Sequence, residues 1–177
     1  MEKRYVYSAL VENRPGVLSR VSGLFTRRGY NIDSLTVAET ENPAYSRMTI
    51  ALHSDARTAE QIRHQLRKLI DVIEVVELSE GASVTREHVL IKLAASAEDR
   101  MSVISLTSIF RANIVDVSPD NMIVELTGDS TKTEAFIEIV RPFGILQAVR
   151  SGVSGLERGV KGGGRQGASP PGPPPGG

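Results

Sequence analysis

The sequence predicts an α+β chain built from two tandem βαββαβ units, and three observations predict it. Short apolar runs with strand periodicity alternate with longer runs at helical spacing, in the order strand, helix, strand, strand, helix, strand. The same order then occurs a second time. Between the two passes lies Ser79-Glu80-Gly81-Ala82-Ser83, small and polar as a linker is. With 177 residues, 40% of them apolar, the chain can bury two small cores.

In the first pass, residues 5–11 are rich in β-formers, and Val17, Leu18, Val21, Leu24 and Phe25 fall on one helix face. Arg27, Arg28 and Gly29 supply the cations and the glycine that favour a helix end. Residues 30–37 and 46–52 read as a hairpin turned at Glu41-Asn42-Pro43-Ala44. Thr58 and Gln61 resemble a capping box opening a helix that carries Ala59, Ile62, Leu66, Leu69 and Ile70. Residues 72–78 close the unit. This is the split βαβ order of ferredoxin-like domains.

In the second pass, residues 88–94 form a strand, and Val103, Ile104, Thr107, Ile109 and Phe110 belong to a helix. Residues 113–117 and 121–126 flank the turn at Pro119-Asp120. Thr131 and Glu134 resemble a second capping box, whose helix stops near Pro142, and residues 145–150 close the unit. Residues 28–33 (Arg-Gly-Tyr-Asn-Ile-Asp) and 111–116 (Arg-Ala-Asn-Ile-Val-Asp) share a phrase, as internal repeats do. The division is residues 1–79 and 87–158 as domains, 80–86 as linker and 159–177 as a Gly/Pro-rich tail. That tail has almost no apolar side chain and is expected to be disordered.

The stretch Glu12-Asn13-Arg14-Pro15-Gly16-Val17-Leu18 joins the first strand to the first helix. Pro15 suits the first helical position, and Gly16 leaves the backbone open to a ligand. Helix-start amides then face outward, at the positive end of the dipole, where a carboxylate or phosphate is held well. Asn13 can accept from an ammonium and donate to a carboxylate, so the junction suits a free amino acid. The same residues are also ordinary turn punctuation, with Asn13 as a simple cap.

Other chemistry is sparse. Lys plus Arg and Asp plus Glu are both 21, so net charge favours neither nucleic acid nor an acidic membrane. The absence of Cys excludes disulfides and thiol catalysis. His53, His64 and His88 lie one to an element with no acid at metal or triad spacing, and no nucleotide-binding glycine motif follows a strand. Stretches 48–52 and 123–126 lack the aromatics that an RNA-binding sheet needs. The reading is a non-catalytic cytoplasmic chain with neither signal peptide nor bilayer-length run. Both faces of the first strand are largely apolar, so the second domain or a second copy of the chain must cover the face away from the helices.

The strings Glu-Asn-Arg-Pro-Gly-Val-Leu-Ser-Arg-Val-Ser-Gly-Leu-Phe (12–25), Arg-Gly-Tyr-Asn-Ile-Asp-Ser-Leu-Thr-Val-Ala (28–38), Ser-Arg-Met-Thr-Ile (46–50), Gln-Leu-Arg-Lys-Leu-Ile-Asp-Val (65–72) and Arg-Ser-Gly-Val-Ser-Gly-Leu-Glu-Arg-Gly (150–159) resemble the regulatory small subunits of acetohydroxyacid synthase, also called acetolactate synthase. The resemblance implies an N-terminal ACT domain, a C-terminal ferredoxin-like domain and a homodimer. It also implies association with a catalytic large subunit that carries thiamine diphosphate, Mg and FAD, with no cofactor on this chain. Such subunits activate the catalytic subunit and confer valine inhibition in branched-chain amino-acid biosynthesis. The matching effector positions are Asn13, Gly16, Val17 and Leu18 from one chain with Asn31 and Ile32 from the other. A free-standing ACT-domain sensor acting on a different target is the alternative.

One valine per chain is expected. The second junction, Ala95-Ser96-Ala97-Glu98-Asp99-Arg100-Met101, has no Pro-Gly turn, and its carboxylates Glu98 and Asp99 are expected to occupy the positive helix end themselves.

Overall fold

A computed structural model describes residues 2–159; the expectation for the tail beyond them falls outside the described residues. The first domain runs β1 (Lys3–Glu12), α1 (Val17–Arg28), β2 (Ser34–Glu39), β3 (Tyr45–Ser54), α2 (Ala56–Arg67) and β4 (Val72–Glu77). The second runs β5 (Ser83–Ala94), α3 (Arg100–Ile109), β6 (Asn113–Val117), β7 (Asn121–Gly128), α4 (Ser130–Val140), a 3₁₀ turn (Arg141–Phe143) and β8 (Ile145–Glu157). Their sheets have the orders β2-β3-β1-β4 and β6-β7-β5-β8, antiparallel throughout. Each central pair is the domain's first and third strand, so both domains are ferredoxin-like and the chain is α+β. No described helix is long and apolar enough to cross a membrane.

Period-two patterning decides what each sheet buries. Tyr5, Tyr7, Ala9 and Val11 alternate along β1, pair with Leu52, Ile50, Met48 and Ser46, and pack with Val21, Leu24, Phe25, Ile62 and Leu66 of the helices. Tyr7 is 1% exposed, yet its hydroxyl donates to Ala59 O at 2.9 Å, so no buried polar group is orphaned there. Burial pushes that hydroxyl's pKa up, which keeps it a donor. The second core repeats the plan with Val89, Ile91, Leu93, Met122, Val124 and Leu126 under Val103, Phe136 and Val140. Phe110 and Phe136 meet there in a tilted ring pair 5.2 Å apart.

The helix boundaries depart from the sequence reading in a consistent way. Asp55 caps α2, accepting from Thr58 N, and Asp129 caps α4, accepting from Lys132 N. The expected capping threonines, Thr58 and Thr131, lie inside their helices. An ionised carboxylate one turn upstream accepts the exposed amide more strongly than a hydroxyl does, so each helix begins earlier than its Thr-x-x-Gln or Thr-x-x-Glu signature suggests. After α1, Gly29 is left-handed (φ 67), and its amide and that of Tyr30 close back on the last helical turn. That cap delays β2 to Ser34, so residues 30–33, read as strand, are loop. In the second repeat Arg111 takes the same left-handed place at φ 53. This aligns Asn113 and Ile114 with Asn31 and Ile32, one residue out of step with the phrase matched by sequence.

The largest departure concerns the domain junction. β5 begins at Ser83, inside the stretch read as linker, and β8 continues through Glu157 instead of ending near Arg150. Residues Ser83 to Glu87 pair with Glu157 to Val153, which gives the second sheet an extension reaching the first domain. There it covers the face of the first sheet turned away from the helices. Ser8, Thr49 and Ala51 point that way and are buried, and Val153 is 3% exposed against them. Of the two expected covers, the second domain of the same chain supplies this one. The fit is close: a Cβ on Gly155 would stand 2.8 Å from both Leu78 Cδ1 and Val84 O.

The cap assignments are checked by thermal melting. Asp129→Ala is expected to destabilise the chain by about 1 kcal/mol, the usual cost of a lost helix cap, while Thr131→Ala costs clearly less. Equal losses would restore the capping-box assignment.

Candidate functional site

The junction between β1 and α1 is shaped by one residue. Gly16 is the N-cap, at φ 87 and ψ −11, and α1 starts after it at Val17. Pro15, expected in the first helical position, lies in the preceding turn, because a left-handed Gly16 has already broken the helical path before Val17. No side chain caps this helix, and the amides of Leu18 and Ser19 donate to nothing among the described residues. Only glycine takes this backbone without strain, and its bare Cα leaves those amides uncovered.

Asn13, read as a possible cap, has another occupation. Its backbone amide donates to Ala44 O at 2.8 Å, and Nδ2 donates to Pro43 O at 2.9 Å and Glu39 Oε2 at 3.3 Å. The turn is therefore tied to the β2–β3 hairpin. Asn13 is exposed, and no hydrogen bond to its Oδ1 is present among the described residues, so that oxygen can accept.

Sequence reasoning missed a cation at this turn. Arg20 grips Asp71 with two prongs, Nε to Oδ2 at 2.6 Å and Nη2 to Oδ1 at 3.0 Å. Its third nitrogen, Nη1, lies 3.1 Å from where a Cβ on Gly16 would stand. The guanidinium therefore lies directly against the Gly16 turn. Asp71 is 6% exposed, and its backbone oxygen accepts from Glu12 N, which anchors the end of β1 as well. The Arg20 guanidinium holds the Asp71 carboxyl below the usual carboxylate range. One signal could have found Arg20: it lies four residues after Gly16, on the same helix face.

The six predicted residues separate into different environments. Val17 is 3% exposed, its side chain in the core, so only its backbone belongs to the turn. Leu18 is 46% exposed and presents an apolar surface next to the free amides. Asn31 is exposed and Ile32 packs partly onto the first core, both in the loop between Gly29 and β2. No hydrogen bond joins Asn31 or Ile32 to residues 13–18 of the same chain among the described residues.

The equivalent junction of the second domain is built otherwise. Asp99 turns its carboxylate to Ser96 Oγ (2.7 Å) and makes no cap bond to α3, and the first helical turn holds no acid. Asp99 is the N-cap of α3 and Glu98 precedes it, so both lie beside the first helical turn as expected, but the Asp99 carboxylate is turned to Ser96 and bonds no helix amide, which corrects the expectation that it fills the helix end. Arg100 instead runs back to Ser118 O at 2.8 Å and Pro119 O at 2.6 Å, filling the junction with its own cation. The histidines also gain neighbours that spacing could not show: His53 Nδ1 lies 2.6 Å from Asp33, and His88 Nε2 lies 3.2 Å from Glu125, across the sheets.

Comparison with known proteins accounts for both halves of the chain. A family model described as an AHAS small subunit-like ACT domain matches residues 8–74, and one described as the small subunit of acetolactate synthase matches residues 86–159. The probable acetolactate synthase small subunit of Methanothermobacter thermautotrophicus is 53% identical over 158 residues, covering 89% of this chain and 94% of that protein. The isozyme 3 small subunit of Escherichia coli is 50% identical over 159 residues, covering 89% and 98%. The crystal structure of the acetolactate synthase small subunit from Thermotoga maritima superposes with a TM-score of 0.81 at 39% identity, over 89% of this chain and 99% of that one. With both domains matched in order and the fold shared, the chain belongs to the acetolactate synthase small-subunit family, with an ACT domain at its N-terminus.

Proposed function

We propose that this chain is the regulatory subunit of acetolactate synthase, that it activates a thiamine-diphosphate-dependent catalytic subunit, and that it confers feedback inhibition by valine. The observation that carries the effector reading is the left-handed Gly16, with the free amides of Leu18 and Ser19 on one side and Arg20 Nη1 on the other. Two free amide donors, a helix dipole and a guanidinium belong to this one turn, a set that suits a carboxylate. Asn13 Oδ1 is an acceptor for the ammonium, and exposed Leu18 offers an apolar wall for a short branched side chain. Asn31 and Ile32 complete the site from a second protomer. In a homodimer, valine then bridges two chains and its binding energy acts on their relative arrangement.

Gly16→Asp is expected to abolish valine inhibition while leaving activation of the catalytic subunit in place. The new carboxylate would sit against Arg20 Nη1 and occupy the site from within, on a backbone already at φ 87. An unchanged inhibition curve sinks the assignment. Asn31→Ala removes hydrogen bonds worth about 1 to 3 kcal/mol, so calorimetry should show valine affinity weakened but measurable. Calorimetry on the dimer should also give no more than one valine per chain, since the second junction has no left-handed glycine and its Arg100 is engaged with backbone carbonyls; two per chain would make the second domain a sensor.

The Arg20–Asp71 pair makes a pH prediction. Because the folded-state pKa of Asp71 is depressed, the pair's stabilisation is complete above the ordinary carboxylate pKa of about 3.9 and is lost as pH falls through the depressed value. Asp71→Asn should therefore lower the melting temperature at neutral pH, and the gap to the unmodified chain should close under acid. A gap independent of pH would show that the pair contributes nothing through charge.

A further inference from the structure

The loop that carries Asn31 and Ile32 runs directly into a clasp between the two domains. Ser34 Oγ accepts from Val153 N, and Thr36 Oγ1 donates to Val153 O, both at 2.9 Å, so one residue of β8 is held at both backbone groups by two side chains of β2. Val153 is buried between the sheets. β8 comes this close because its pairing with β5 is irregular at that point: Glu87 pairs with Val153 and Val89 with Arg150, leaving Ser151 and Gly152 opposite His88 alone. This is a bulge, in which His88 N donates to Ser151 Oγ at 3.0 Å and Gly152 adopts φ +81. A Cβ on Gly152 would stand 2.9 Å from Thr36 Cγ2 and 3.0 Å from Ser34 Oγ. The bulge is seated against β2 with no space between them.

Behind the clasp, β8 is braced. Arg150 holds both oxygens of buried Glu87 on β5, at 2.9 and 2.6 Å, and Glu134 Oε1 on α4 at 2.7 Å. Val153 thus links β2 to a strand that is itself ion-paired to β5 and α4. On the other side, Asp33 N donates to Ala51 O at 2.9 Å and its carboxylate meets His53 at 2.6 Å, so the loop joins β2 as a fixed lever.

We infer that Ser34 and Thr36 are positioning residues that couple an effector held at Asn31 and Ile32 to the second domain, through Val153 and the β8 bulge. This rests on the effector reading above and adds the route by which occupancy leaves the ACT domain. Coupling of this kind requires an element with two arrangements that both ends bias. The clasped bulge is one arrangement; a bulge released from β2 is the other.

The test compares the full-length chain with the double variant Ser34→Ala/Thr36→Val, which removes both side-chain partners at nearly constant volume, and with Gly152→Ala, which wedges the clasp from the β8 side. Melting curves establish that each is folded, calorimetry measures L-valine binding, and hydrogen exchange follows residues 145–157 with and without L-valine. In the unmodified chain, valine should slow exchange across 145–157. In both variants the affinity should stay within a few-fold while that added protection is lost, and holoenzyme assays should show inhibition at saturating valine largely relieved. Added protection and inhibition that persist in valine-bound variants overturn the coupling role. Absence of valine binding to the unmodified chain is a different failure: it removes the effector reading, and the coupling role with it.

Discussion

A ferredoxin-like sheet covered by helices on one side has an open face, and in this chain the way that face is closed organises the rest. The β5–β8 ribbon extends past the second domain's own core, packs against β2 and β3 of the first sheet, and sets Gly152 and Val153 against Ser34 and Thr36. Small residues line both sides of the contact, so the backbones approach within side-chain hydrogen-bond reach and Ser34 and Thr36 can bond Val153 directly. Two compact domains joined only by a polar linker would move independently. The ribbon makes the linker short and ties the second domain to the strand that follows the loop of Asn31 and Ile32.

The turn at Gly16 obeys a different constraint. Its chemistry comes from leaving helix-start amides unsatisfied at the surface, which costs little where water can reach them and leaves them available to an anion. Gly16 takes the left-handed backbone, Asn13 pins the turn to the β2–β3 hairpin, and the Arg20–Asp71 pair anchors α1 to the end of β1 with the guanidinium against Gly16. The second domain has the same topology but spends its junction on Arg100 and two carbonyls. The two junctions thus differ in their side chains and in the left-handed Gly16, while their architecture is shared.

Much of this was legible in the sequence because it depends on neighbours in the chain. Alternation along β1 and β5, helical spacing in α1 to α4, the Gly29 stop and the Pro-Gly turn are local patterns, and they sufficed for element order, for two domains and for locating the turn at residues 12–18. The family resemblance was equally a matter of local strings. What only the tertiary structure decided involves partners distant in sequence: Asp71 as the anchor of Arg20, Pro43 and Glu39 as the acceptors that occupy Asn13, Val153 between Ser34 and Thr36, and the continuation of β8 to Glu157. Residues 151–157 lie beyond the closing strand read at 145–150, and they are strand because β5 offers a ladder for their backbone and the first sheet offers a surface for Val153. Periodicity reports which face a residue turns to its own element; which distant surface will meet that face is set by packing, and no spacing in the chain encodes it.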